Sequence, residues 1–215
     1  NPALAEAQAK TPVVVIADPA DCSLQFDPVG KASFVSSCDI AKSTLANAGV
    51  SYANEPGPPG QPALVRIGLQ TIPSTGAKDL PPDVVKAVKA SVETRIKTAL
   101  AQGGYPEKAD PKRMNLLGAF GVLLIMVTAA TALYGPIAAC LVELFPTRVR
   151  YTALSLPYHI GTGWVGGFVP FTAFAIVTAV GDLYSGLWFP FVFTAISVVT
   201  CLIFLPETKG RRLDA

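Results

Sequence analysis

The chain predicts an α-helical membrane protein of three apolar spans, preceded by a small α/β extramembrane domain. Three observations predict it. Acidic and basic residues make up 15% of the 215 residues, against about 25% in an ordinary soluble domain. Their distribution breaks sharply: 23 of the 32 lie in residues 1–114 and nine in residues 115–215. Beyond the break come three long runs almost free of charge, each meeting the requirement of roughly 20 apolar residues for a helix crossing a 30 Å hydrocarbon core. We therefore divide the chain into residues 1–113, polar and proline-rich, and residues 114–215, which hold the spans. A net charge of +2, with no basic arm and no interleaving of aromatic and basic residues, excludes nucleic acid as a partner.

The polar part reads as alternating short elements. Residues 13–17, VVVIA, form an apolar run typical of a buried strand. Residues 38–48, CDIAKSTLANA, followed by Gly49, read as a short helix with a glycine stop. NEPGPPGQP follows as a rigid loop, and residues 63–69, ALVRIGL, give a second strand. The clearest element is PPDVVKAVKASVETRIKTALAQGG. Val85, Val88, Val92, Ile96 and Leu100 share one helical stripe while Lys86, Lys89, Glu93 and Lys97 face away, with prolines opening the helix and Gly103-Gly104 closing it. This half holds no His, no Cys-x-x-Cys, no nucleophile–base pair, no phosphate-binding glycine loop and no carboxylate dyad. It offers no catalytic group, no metal site and no cofactor site.

The spans are expected at about residues 115–144, 151–180 and 183–205. The only ionisable imidazole in them is His159. They are more than anchors. Gly135-Pro136 interrupts the first span, Pro157, Gly161, Gly163, Gly166, Gly167 and Pro170 the second, and Pro190 the third. Proline removes a backbone donor and kinks a helix, which lipid tolerates where neighbouring helices re-satisfy the backbone. Gly163 and Gly167 have the small-xxx-small spacing of close helix approach. These helices expect partner helices.

Orientation follows from the arginines. Glu143, Arg148 and Arg150 crowd the junction between the first two spans, and Lys209, Arg211 and Arg212 follow the third. The short link GDLY carries only Asp182. The positive-inside rule puts the junction and the C-terminus in the cytoplasm and residues 1–113 outside; Lys112 and Arg113 oppose this, but they end a long segment that crosses regardless of charge. In an oxidising external compartment Cys22 and Cys38 are expected to pair, the alternative being two unrelated buried thiols. Cys140 and Cys201 read as packing residues. The chain begins with Asn and not Met, which leads us to expect a processed, truncated or partial chain.

Two motifs then carry a resemblance. Residues 134–170, YGPIAACLVELFPTRVRYTALSLPYHIGTGWVGGFVP, contain a Glu-x-Phe-Pro-x-x-x-Arg pattern at Glu143, Phe145, Pro146 and Arg150. Pro206, Glu207, Thr208, Lys209 and Gly210 form a second pattern after the last span. Together they resemble the major facilitator superfamily, nearest to its metabolite:proton symporters, with sugar-porter-like motifs. The resemblance covers roughly residues 115–213 and leaves out the first 110.

It implies twelve spans, of which these resemble the last three, with the polar domain as an enlarged external loop. The partners implied are the missing N-terminal spans of the same carrier, the lipid bilayer, a small-molecule metabolite and protons. It implies an inner (plasma) membrane location and a gate role for Glu143 and Arg150 in cytoplasmic ion pairs, Arg148 either sharing that role or setting topology. Carriers of this fold bind solute near the midplane, and counting at 1.5 Å per residue places Tyr134 and His159 about 12 to 14 Å deep. His159 either assists proton coupling or contributes one interhelical hydrogen bond, and Trp164 either lines the path or faces lipid. The function expected is secondary transport of an organic acid or zwitterion by proton symport and alternating access. The alternatives are a membrane-anchored external binding or sensing module, and, more remotely, an external enzyme on an anchor.

Overall fold

The structure, a computed structural model, describes residues 2–107 and 115–205. Contacts group the chain into two units, Asn1–Arg113 with Pro170–Phe191, and Met114–Val169 with Val192–Ala215.

The first unit is built on a four-stranded sheet of order β2-β1-β3-β4. Strand β1, Val13–Ala17, lies between two neighbours, which is why its apolar run is nearly continuous. Strand β2, Ala53–Pro56, pairs with it in parallel, and β3, Leu64–Ile67, antiparallel. A parallel partner needs a crossover, supplied by helix α2, Ser37–Asn47. Ser36 caps α2 by accepting from the Asp39 N–H at 3.0 Å, and Gly49 ends it in the left-handed region at φ 68°. Strand β4, Gln70–Pro73, returns from β3 through a two-residue turn with Gly68 at φ 58°, a position that a tight hairpin reserves for glycine. That turn shortens the strand expected over residues 63–69.

Helix α3, Pro82–Gln102, buries Val92, Ile96 and Leu100 against the core, with Val85 and Val88 half-buried beside them. It packs on α2, β3 and β4, so its predicted apolar stripe is the face that closes the layer. Ile40, Leu45, Val15, Val65, Val92 and Ile96 are fully buried at the centre. Helix α1, Pro2–Lys10, adds Ala7 to this core; its short alanine-rich stretch has too little apolar contrast to stand out in the sequence. Cys22 and Cys38 form a disulfide with Cα atoms 5.2 Å apart.

One expectation is corrected here. The stretch NEPGPPGQP is not wholly a loop: its first three residues belong to β2. All of β2 is exposed, it sits at the sheet edge, and Pro56 ends it, an edge being where a strand tolerates proline. The Gly57 N–H then donates to the Ala17 carbonyl at 2.8 Å.

The same unit contains the link between the second and third spans. The Tyr52 N–H donates to the Gly181 carbonyl at 2.8 Å, and the Tyr52 hydroxyl donates to the Thr178 carbonyl at 2.8 Å. Asn54 Nδ2 donates to the Val180 carbonyl at 2.9 Å, and the Leu183 N–H approaches Ser51 Oγ at 3.4 Å. Gly181 lies at φ 90°, and a Cβ there would collide with the Tyr52 carbonyl oxygen and come within 2.9 Å of its ring.

The remaining helices are α4, Leu116–Leu144; α5, Arg150–His159; α6, Gly167–Val180; and α7, Trp188–Phe204. Three stretches are long and apolar enough to cross a membrane: Leu116–Leu144, Arg150–Val180 and Ser185–Phe204. Between α5 and α6 the helix widens into π turns over Ile160–Gly166. The cause is local. Pro157 and Pro170 flank the segment, each lacking the N–H of a regular turn, and the glycines between them give little side-chain resistance to unwinding.

Candidate functional site

The charged junction is a turn that proline dictates. A residue before proline is pushed out of the helical region, and Phe145 is extended at φ −118°, ψ 134°, ending α4. The Val149 N–H returns to the Pro146 carbonyl at 3.2 Å, and α5 begins at Arg150. The turn folds Arg150 back onto the helix it has just left. Its Nε donates to the Phe145 carbonyl at 3.1 Å, so a cation sits at the C-terminal end of α4, where helix carbonyls lack partners and the dipole favours positive charge. Arg150 Nη2 is buried and makes no hydrogen bond among the described residues. Glu143 and Arg148 are exposed at the same end.

From Arg150 an open groove of about 500 Å³ runs along α5, bounded by Arg150, Tyr151, Ser155, Tyr158 and His159. The His159 and Tyr158 rings meet edge to face, centroids 5.8 Å apart. A guanidinium, two phenols, a hydroxyl and an imidazole border this groove, and each can donate to an anionic oxygen. The groove brings together two residues singled out in the sequence, Arg150 and His159. Tyr151, Ser155 and Tyr158 were missed, although their spacing of i, i+4 and i+7 places them on one helical face.

The other candidates lie elsewhere. Tyr134 on α4 is exposed, and neither it nor Trp164 lines the α5 groove. Trp164 stands in the π segment with its ring edge to face on Phe168, centroids 6.0 Å apart. Pro136 is inside α4, and a Cβ at Gly135, Gly163 or Gly167 would meet open space. Cys140 is half-buried and Cys201 exposed, both free thiols. The motif Pro206, Glu207, Thr208, Lys209 and Gly210 lies outside the described residues, as do Lys112, Arg113, Arg211 and Arg212.

With this geometry in place, comparison with known proteins adds the following. The family model described as "Sugar (and other) transporter" matches residues 99–215. A putative metabolite transport protein of Haemophilus influenzae is 32% identical over 110 residues, 51% of this chain and 25% of that protein. The glycine betaine/proline/ectoine/pipecolic acid transporter of Dickeya dadantii is 32% identical over 91 residues, 42% of this chain and 18% of its own length. The citrate-proton symporter of Klebsiella pneumoniae is 32% identical over 71 residues, 33% of this chain and 16% of its own length. The chain thus spans a quarter or less of the length of these relatives. No solved structure matches it.

Proposed function

This chain belongs to the sugar (and other) transporter family, and we propose on that footing that it forms the three-span C-terminal part of a secondary carrier. The solute is a small organic acid or zwitterion, moved by proton symport and alternating access. The solutes in the names of two relatives, citrate in one and glycine betaine, proline, ectoine and pipecolic acid in the other, all carry a carboxylate. That shared chemistry supports the class of solute. The relatives are transporters and not enzymes.

The observation that carries the mechanism is the state of Arg150. One nitrogen is fixed on the Phe145 carbonyl and another is buried without a hydrogen-bond partner among the described residues. A buried guanidinium nitrogen left unpaired costs about 1–3 kcal/mol, so a conformation that supplies an acceptor is favoured by that amount. A group that is paired in one state and unpaired in the other is a bistable element of the kind alternating access requires. Arg150, with Glu143 at the same end, closes the cytoplasmic side by pairing with helices of the rest of the carrier, and Arg148 sets topology beside them. His159, which also borders the groove, carries the proton or orients the solute carboxylate.

Residues 1–113 then stand on the external side, in the periplasm of a two-membrane cell, and the C-terminus in the cytoplasm. The arginines of the junction support this orientation; the bonds joining residues 51–54 to residues 178–183 support only that the polar domain and the link after two crossings share one side. The test is uptake of labelled carboxylic acids and betaines into proteoliposomes holding the whole carrier, with and without an inward proton gradient. The expected result is gradient-driven uptake that Glu143→Gln reduces without loss of insertion. Uptake indifferent to the gradient would count against symport, and loss of insertion alone would reduce the junction to a topology signal. An anchored external binding module, the competing reading, predicts solute binding with no uptake under either condition.

A further inference from the structure

Lys42 stands where a lysine is costly. It lies in α2, three residues beyond Asp39, and is only 9% exposed. Lysine is almost never buried to this degree unless paired. Yet Lys42 forms no hydrogen bond and no ion pair with any described residue, and its electrostatic partner is Asp39 alone. That carboxylate is already committed, accepting from the Ser23 N–H at 2.8 Å and from the Ser23 hydroxyl at 2.5 Å. Burial holds the Lys42 ammonium below its ordinary range, Asp39 opposing the effect only in part.

The lysine lines a groove of about 480 Å³ with apolar walls at Val15, Ala17 and Leu24, polar groups at Ser23 and Asn54, and Ala179 contributed by the end of α6. That volume is within the span of small-molecule sites, about 300–1,000 Å³, which combine apolar walls with a few polar groups. The other charged residue on the groove, Glu55, is held by Arg66 at 2.8 Å. Asp39 faces a separate groove beside Asp18 and Asp21. Among the lining residues Lys42 is therefore the one cation, and the carboxylate of Glu55 is turned to Arg66.

We propose that this groove, formed by the polar domain with Ala179 at the end of α6, is a binding site for a small monocarboxylate with an apolar body. The Lys42 ammonium donates to the carboxylate while the body lies against Val15, Ala17 and Leu24. A monoanion is favoured over phosphate because the Ser23 hydroxyl already donates to Asp39 and Asn54 Nδ2 to the Val180 carbonyl, so one ammonium leaves the further oxygens of phosphate without donors, and unpaired buried polar groups are costly. The site is independent of the α5 groove and of the direction of any solute movement.

The test uses the full chain in lipid nanodiscs, with benzoate as probe and benzyl alcohol as its uncharged counterpart, binding being read by saturation-transfer NMR titration. Benzoate is expected to bind, and Lys42→Met to weaken it at least tenfold, about 1.4 kcal/mol, with no change for benzyl alcohol. Lys86→Met, on the exposed face of α3, is expected to leave binding unchanged. Ligand-free Lys42→Met is expected to melt at the same or a higher temperature, because methionine keeps the buried stem and removes a partly desolvated charge that has no ion pair. Equal benzoate binding by Lys42→Met, benzyl alcohol binding as tightly as benzoate, or displacement of benzoate by equimolar inorganic phosphate overturns the assignment. So does a lowered melting temperature, which makes Lys42 a structural residue.

Discussion

Arg150 fixes a local turn, and Tyr52 makes a contact with a residue distant in sequence. Arg150 is held by the carbonyl that ends α4, a bond that depends on the planar fork of the guanidinium. Arg150→Lys keeps the charge and loses that geometry. We expect it to lower uptake by the whole carrier at least tenfold, whereas Arg148→Lys, at an exposed position, leaves it unchanged. Equal losses in the two variants would mean that charge alone matters. The pattern Glu-x-Phe-Pro-x-x-x-Arg made this turn legible, because proline fixes where the helix must stop. Tyr52 was not legible: a tyrosine in SYAN carries no sign that its hydroxyl reaches a carbonyl 126 residues away. Burial raises its hydroxyl above the ordinary value of 10.0, so the stability it contributes is present below pH 10 and is lost as pH rises beyond it. Lys42 acts oppositely. Its folded value lies below 10.5, so the unfolded chain holds the extra proton and stability grows as pH rises toward 10.5. Melts from pH 7 to 11.5 are expected to show a rise that Lys42→Met flattens and an alkaline fall that Tyr52→Phe reduces. Unchanged pH profiles in both variants would contradict these assignments.

Among the elements, the link after α6 has the strictest geometry. Gly181 sits at positive φ with the Tyr52 carbonyl occupying the space a side chain would need. Gly181→Ala is expected to cost about 1–3 kcal/mol, the range for a strained backbone, and Tyr52→Phe about 0.5–1.5 kcal/mol for one hydrogen bond. Because the two residues share one contact, their losses should not add. Chemical denaturation of both single variants and the double variant measures this, and full additivity would place the two residues in separate contacts. Cys22 and Cys38 close a loop with a sequence separation of 16, so reduction is expected to cost about 3 kcal/mol in the chain-entropy account, read as a lower unfolding midpoint under reductant. The helical stripe of α3 and the core strand β1 were legible, since burial repeats along one element. Strand β2 was hidden because an edge strand of polar residues and proline has no periodicity to display. The π turns were only half legible: the prolines and glycines announced a disturbed helix, but its widened form depends on how they combine in space.

At the scale of the whole molecule, three apolar helices and a compact α/β unit follow from one feature, the segregation of charge along the chain. Hydropathy finds spans readily because a bilayer forces every backbone polar group to pair within its own helix. Sidedness rests on fewer residues, two arginines at one junction against a single aspartate at the next. The bonds from residues 51–54 to residues 178–183 bear only on the polar domain and the link lying on one side, whichever side that is. The central claim is that the polar domain and the link after α6 share the outer face while the Glu143–Arg150 junction stands on the opposite one. Thiol accessibility tests it most directly, with single cysteines at Lys86, Tyr184 and Thr147 placed in a chain whose Cys140 and Cys201 are alanine, and a membrane-impermeant maleimide applied to intact cells. The account expects Lys86→Cys and Tyr184→Cys to label in intact cells and Thr147→Cys to label only after permeabilisation. Labelling of Thr147→Cys in intact cells, or protection of Lys86→Cys there, would contradict it.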